Sequence, residues 1–311
     1  MSKPLSSVLR ATTRRVAGRS TGVANRAYAA ARPIPTPTTR ERWGTAAALL
    51  GVAGVFGAAS WSLRPDLVPS LPFAHAEEAG VYIDPTTSTP FPSTISSPNG
   101  TVLQLVGTGV RTVSFLSIRV YSAGIHIAAE AVDKIQAGKL AGWEGYTPAR
   151  LTPPYPADAP QLCGEALIGQ LLNEKYEVAV TIVPLRNTTL PHLRDGFSRA
   201  LVARLKLPHV ASAMSPEETE AASTKLPELR SFFPGKALAK GTPLVCHFSP
   251  TSVRFELPDP KDPAKTEVLG VLVDPFLTRQ LFLSYFSDAG AISEELRASV
   301  AKGLAGEARR N

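Results

Sequence analysis

The sequence predicts an α+β domain built on an antiparallel sheet, and three observations lead there. Strand-like runs rich in Val, Ile, Phe and Tyr begin at about residue 101 and outweigh helical patterns as far as about residue 185. The helical stretches then cluster towards the C-terminus, the order of an α+β rather than an alternating α/β chain. The first sixty-odd residues differ so sharply in composition that they stand apart from this domain. A domain over 101–308, about 210 residues, is ample to bury a core.

Taken in order, the chain opens with a basic segment. Residues 1–40 carry eight Lys and Arg and no Asp or Glu, so the formal net charge of +7 belongs to this end. The part from 65 onwards is slightly acidic, which removes the electrostatic case for nucleic-acid binding. An Arg-, Ser- and Ala-rich, acid-free N-terminus with Leu5, Val8, Leu9 and Val16 on one helical face reads as a mitochondrial transit peptide over 1–28. Arg26-Ala27-Tyr28-Ala29 resembles a cleavage site with arginine upstream.

Residues 43–63 run 21 positions without a charge, between Arg42 and Arg64. That length spans a bilayer core of about 30 Å, and Trp43 and Trp61 stand where interfacial aromatics belong. A transmembrane helix is therefore expected, anchoring the chain in the inner membrane. The excess of positive charge before it puts the N-terminus in the matrix and the C-terminal domain in the intermembrane space. The stretch 65–100, rich in Pro, Ser and Thr, reads as a linker.

The domain comes next. TVLQLVGTGVRTVSF and IRVYSAGIHIAAE read as two strands, and KYEVAVTIVPL as a third. Residues 190–205 have the spacing of an amphipathic helix. Ser215, Pro216 and Glu218 form a helix start, with the serine as N-cap. Residues 242–258 predict a hairpin and 265–274 another strand. Two helices close the chain, the second capped by Ser293 with acids in its first turn. Cys163 and Cys246 show no metal spacing and read as unlinked thiols, though a disulfide between them is open.

Sites of familiar chemistry are missing from the pattern. Gly107-Thr108-Gly109 lacks the third glycine and following helix of a phosphate loop, and no Gly-x-Ser-x-Gly elbow exists. The five histidines are scattered, none in a metal-binding pair. What stands out is Arg111 in an apolar strand, either an edge charge paired with a carboxylate or a seat for an anion. Arg119 reads as a solvated charge.

Gly107, Gly109 and Arg111, followed by Tyr121, Ser122, Ala123, Gly124 and Ile125, resemble the signature of the chalcone isomerase family. VPLRNTTLPHLRDGFSRAL, PLVCHFSPTSVRFEL and the final helix pair resemble later parts of it, so the resemblance covers roughly 100–305. It implies an open-faced β-sandwich, a large antiparallel sheet covered by helices with a ligand cleft between. In the plant enzyme the strand arginine contacts the ligand, and Arg111 stands at that position. Tyr121 stands where the enzyme has a threonine. The enzyme's junction Tyr and Asn fall near Leu190 and Phe197, which are apolar and cannot orient a substrate or a reactive water.

The Arg-plus-Tyr pairing resembles instead the fatty-acid-binding branch, and the chain as a whole the fungal mitochondrial branch, for which haem binding is also a family property. The resemblance thus implies a non-catalytic protein holding an amphiphilic carboxylate, fatty acid or haem, on Arg111 and Tyr121, with Thr108 and Ser122 as further cleft residues. Haem, the cofactor so implied, would take His126 or His192 as axial ligand. The alternative is an intramolecular lyase in which Arg111 stabilises an oxyanion and Tyr121 orients a water.

Overall fold

The computed structural model describes residues 80–113, 118–156, 162–259 and 265–307. The expected transit peptide and the 43–63 span lie outside them. Among the described residues no helix is long and apolar enough to cross a membrane.

The domain begins before residue 101. The stretch expected to be linker forms, from residue 80 on, β1 (Val81–Ile83), β2 (Pro90–Pro92) and β3 (Thr94–Ser96). Asp84 and the threonines that follow it make a tight turn there. Asp84 Oδ1 accepts from Thr86 N at 3.0 Å and Thr87 N at 2.8 Å, which closes the β1–β2 hairpin. Prolines are tolerated there because the hairpin has free edges, and Phe91 between them is fully buried.

β4 (Val102–Val113) and β5 (Ile118–Ala128) are the long central strands, followed by α1 (Ala129–Gln136) and α2 (Gly164–Asn173), neither expected from the sequence. β6 (Val178–Pro184) is buried along its whole length. The short β7 (Thr188–Thr189) leads into α3 (Leu190–Leu205) and α4 (Pro208–Ala211). α5 (Pro216–Ser231) starts at the predicted capping box, Ser215 Oγ accepting from Glu218 N while Glu218 accepts from Ser215 N. β8 (Ala237–Leu238), the hairpin β9 (Leu244–Phe248) and β10 (Ser252–Pro258), and β11 (Thr266–Val273) complete the strands. α6 (Pro275–Leu283) and α7 (Glu294–Leu304) close the described chain, α7 capped by Ser293.

The described main sheet is antiparallel throughout, in the order β11-β10-β9-β6-β5-β4-β3. Helices cover one face. α7 lies on β4 so closely that a Cβ on Gly107 would stand 2.5 Å from Val300 N, and one on Gly109 2.3 Å from Leu296 N. The two glycines of the signature are therefore a packing seat for a helix. Arg297 of α7 is buried, donating to Leu151 O at 2.6 Å and Ser287 O at 3.2 Å and pairing with Asp288. The opposite face meets the β1–β2 hairpin, where a Cβ on Gly124 would stand 2.8 Å from the Phe91 ring. No disulfide joins Cys163 and Cys246.

Candidate functional site

Register decides which residues share the helix-covered face. β5 pairs with β6 without a break from Tyr121↔Pro184 to Ile127↔Val178, so its side chains alternate strictly. Tyr121, Ala123 and Ile125 share one face, Ser122, Gly124 and His126 the other. Across β4, Arg111 pairs with Tyr121 while Thr108 pairs with Gly124. The face that holds Arg111 and Tyr121 is the one α7 and α3 cover, as Gly107 and Gly109 show.

Arg111, Tyr121 and His192 come together there around a cavity of about 180 Å³. Val113, Val120, Ile182, Leu193, Phe197 and Ile292 form its apolar walls, and α3 adds Gly196 and Arg199. Arg111 is half-buried, and its Nη1 donates to Tyr121 Oη at 3.2 Å. Its guanidinium carbon also lies 5.7 Å from the centre of the Tyr121 ring. No carboxylate pairs with Arg111 among the described residues, and no described residue lining the cavity is acidic. The edge-charge alternative for Arg111 therefore lacks its partner. Arg119, by contrast, is exposed and donates to Thr86 O at 3.2 Å.

Tyr121 is buried. Burial raises the pKa of its phenol, an effect that Arg111 offsets only in part, so the hydroxyl keeps its proton at neutral pH. Since the oxygen already accepts from Arg111, its own O–H remains available to donate. The Tyr285 phenol interacts with that of Tyr121, and its buried hydroxyl has no other hydrogen-bond partner among the described residues. Burial likewise holds that phenol neutral. The site thus presents a planar cation and a neutral phenol donor at the end of an apolar chamber, a pairing that suits a carboxylate.

Three expected residues lie elsewhere. Thr108 and Ser122 are buried on the opposite face, because the strand period of two turns them away from Arg111. His126 is fully buried there too, its Nε2 3.0 Å from Pro92 O, which fixes Nε2–H as donor. It does not line the Arg111 cavity, and the sheet separates it from Arg111, so it cannot be the axial ligand of a group held there. Of the two histidines only His192, exposed on α3, borders the cavity. Leu190 and Phe197 are buried and apolar, as expected. Sequence reasoning missed Gly196, Arg199 and Tyr285. A glycine inside a helical pattern is the one legible signal among them.

The fold and site define a sheet-and-helix protein with an apolar, cation-ended cavity. A family model described as chalcone isomerase like matches residues 101–301, and the chain belongs to that family. A Debaryomyces hansenii protein named altered inheritance of mitochondria protein 18, mitochondrial, is 32% identical over 243 residues, covering 73% of this chain and 75% of the relative. A protein of the same name from Eremothecium gossypii is 28% identical over 223 residues, covering 68% and 71%. Among solved structures, a fatty-acid binding protein of Arabidopsis thaliana superposes with a TM-score of 0.52 at 15% identity, covering 74% of this chain and 99% of that one. The likeness to that structure is one of fold.

Proposed function

We propose that this protein is a non-catalytic mitochondrial carrier whose cavity takes the carboxylate end of a fatty acid. The observation that carries the reading is the Arg111 guanidinium, which meets no carboxylate among the described residues and is bonded to a neutral phenol beside an apolar cavity with no described acidic lining residue. A guanidinium and a phenol supply charge-assisted and neutral donors to a carboxylate, and apolar walls favour methylenes by about 0.8 kcal/mol each. At about 180 Å³ the cavity is smaller than the roughly 300–1,000 Å³ of pockets that enclose whole drug-sized ligands. It therefore encloses the head and first methylenes, and the rest of a long chain extends past α3. The same size favours an acyl carboxylate over a porphyrin. The names of the fungal relatives support mitochondrial residence, and the fatty-acid binding named for the Arabidopsis protein supports the ligand class. Anchoring in the inner membrane through 43–63 belongs to the same proposal, and carbonate extraction of isolated mitochondria tests it.

The ligand test is to purify the full chain and an Arg111→Gln variant from a heterologous host. Bound lipids are extracted for mass spectrometry and the proteins scanned for a Soret band. A fatty acid carried by the native protein and missing from the variant is expected. A Soret band would replace the fatty acid by haem. Two empty proteins of equal stability would overturn the carrier reading and return the lyase alternative to first place.

A further inference from the structure

The Arg111 cavity carries more positive charge than one carboxylate can balance. His192, Gly196 and Arg199 stand at i, i+4 and i+7 of α3, one stripe along the helix, and all three line the cavity. Gly196 sets the stripe against Arg111, since a Cβ there would stand 3.8 Å from Arg111 Nη1. At a rise of about 1.5 Å per residue, His192 lies about 6 Å along the helix from Gly196 on one side and Arg199 about 4.5 Å on the other. An imidazole and a second guanidinium therefore flank the place where Arg111 meets α3. Both side chains are exposed yet line the cavity, so they stand at its mouth, while half-buried Arg111 and buried Tyr121 stand deeper.

Neither flanking group is spent elsewhere. Among the described residues none hydrogen-bonds the Arg199 guanidinium or the His192 ring. Asp195, on the same helix, does not line the cavity. Arg194 holds it at 2.9 Å, and Arg199 and Arg230 only add their attraction from farther away. One carboxylate thus serves three guanidiniums, which leaves net positive charge on this side of α3.

Charge and oxygen count then choose the head group. Arg111 and Arg199 carry two positive charges, and a carboxylate returns one. Its two oxygens meet Arg111 and the Tyr121 hydroxyl, which leaves Arg199 and His192 facing nothing. A phosphate monoester carries about −1.5 to −2 at neutral pH and offers three terminal oxygens. Two of them meet Arg111 and Tyr121, and the third turns to the mouth, where Arg199 and a ring N–H of His192 donate. Given the reading that an anionic amphiphile enters this cavity, we infer that single-chain lipids headed by a phosphate monoester are a second and tighter class of ligand for it.

Decyl phosphate and decanoate are the probes, with inorganic phosphate as the chainless control, each titrated calorimetrically into the full-length protein below any micelle-forming concentration. Decyl phosphate should bind the native protein at least tenfold more tightly than decanoate, the worth of one further hydrogen bond to a charged group. Inorganic phosphate, without methylenes for the apolar walls, should bind at least a hundredfold more weakly than its decyl ester. Arg199→Gln and His192→Phe should each cost decyl phosphate several-fold more affinity than they cost decanoate, whereas Arg111→Gln should weaken both. Unchanged melting of Arg199→Gln, as befits an exposed side chain, separates lost binding from lost folding. Decyl phosphate that binds no more tightly than decanoate overturns the inference and leaves the fatty-acid carrier standing. So does an Arg199→Gln variant that weakens both probes equally, or inorganic phosphate that binds as tightly as its decyl ester. A native protein that binds neither amphiphile overturns the carrier reading as well.

Discussion

Replacing Gly196 should make the protein more stable and a poorer binder, and the structure gives both signs. Gly196 sits inside α3, where glycine is about 0.5–1 kcal/mol less favourable than alanine. Packing does not require it. Among the described residues beyond its own helix backbone, an added Cβ would meet Arg111 Nη1 at 3.8 Å, an ordinary contact. Gly196→Ala should therefore raise the melting temperature by about 1–4 °C for a domain of this size. The new methyl group, however, stands over the guanidinium, in space a bound carboxylate must share. Losing one charge-assisted bond costs about 1.5 kcal/mol, so the dissociation constant of a fatty acid should rise roughly tenfold. Gly196→Leu fills much of the cavity and should abolish binding while the protein stays folded. Thermal melting with displacement of a fluorescent fatty acid measures both quantities on the same samples. A Leu variant that folds and binds like the native protein would refute the placement of the ligand. An Ala variant that melts lower would show that α3 needs its glycine for packing.

Arg111→Gln should weaken fatty-acid binding about 10- to 100-fold, the worth of one to two hydrogen bonds to a charged group, and Arg111→Lys should recover little of it because an ammonium cannot present the planar fork; calorimetric titration reads both. Gly109→Ala drives a Cβ to 2.3 Å from Leu296 N and must displace α7, so denaturant unfolding should show a loss of about 1–3 kcal/mol or more. His126 gives a pH dependence of known sign. Burial first, opposed by the Pro92 carbonyl and reinforced by His247, lowers its pKa from 6.5 to about 4 in the folded protein. The unfolded chain thus binds a proton that the folded one refuses between these values. Stability is full above pH 6.5 and falls by about 3 kcal/mol as the pH drops to about 4. Urea unfolding at several pH values should show this slope in the native protein and a correspondingly shallower one in His126→Gln.

The fates of these residues show what a sequence can say about a site. The strands and helices from 101 onwards are legible because each carries a local signal, such as β-branched runs or the Ser215 box that forms with both its bonds. Residues 80–100 mislead because Pro, Ser and Thr mark a linker and an edge hairpin equally, and only Phe91 burying itself against Gly124 separates the two. Arg111 and Tyr121 are legible because the motif names them together and their register keeps them on one face. Thr108 and Ser122 are neighbours of the same motif on the same strands, yet one position's offset sends each to the other side of the sheet. His126 fails for the same reason, odd and even positions of β5 facing different worlds. Gly196, Arg199 and Tyr285 reach the site only through the packing of α3 and α6 on the sheet, which no spacing along the chain encodes. The signature glycines make the complementary point. Read from the sequence only as part of the family signature, Gly107 and Gly109 serve the site indirectly, by letting α7 lie against β4. Where on the sheet that helix rests limits how far the covering layer can close over Arg111. A substitution at Gly109 should therefore alter binding through a moved helix rather than through a lost contact.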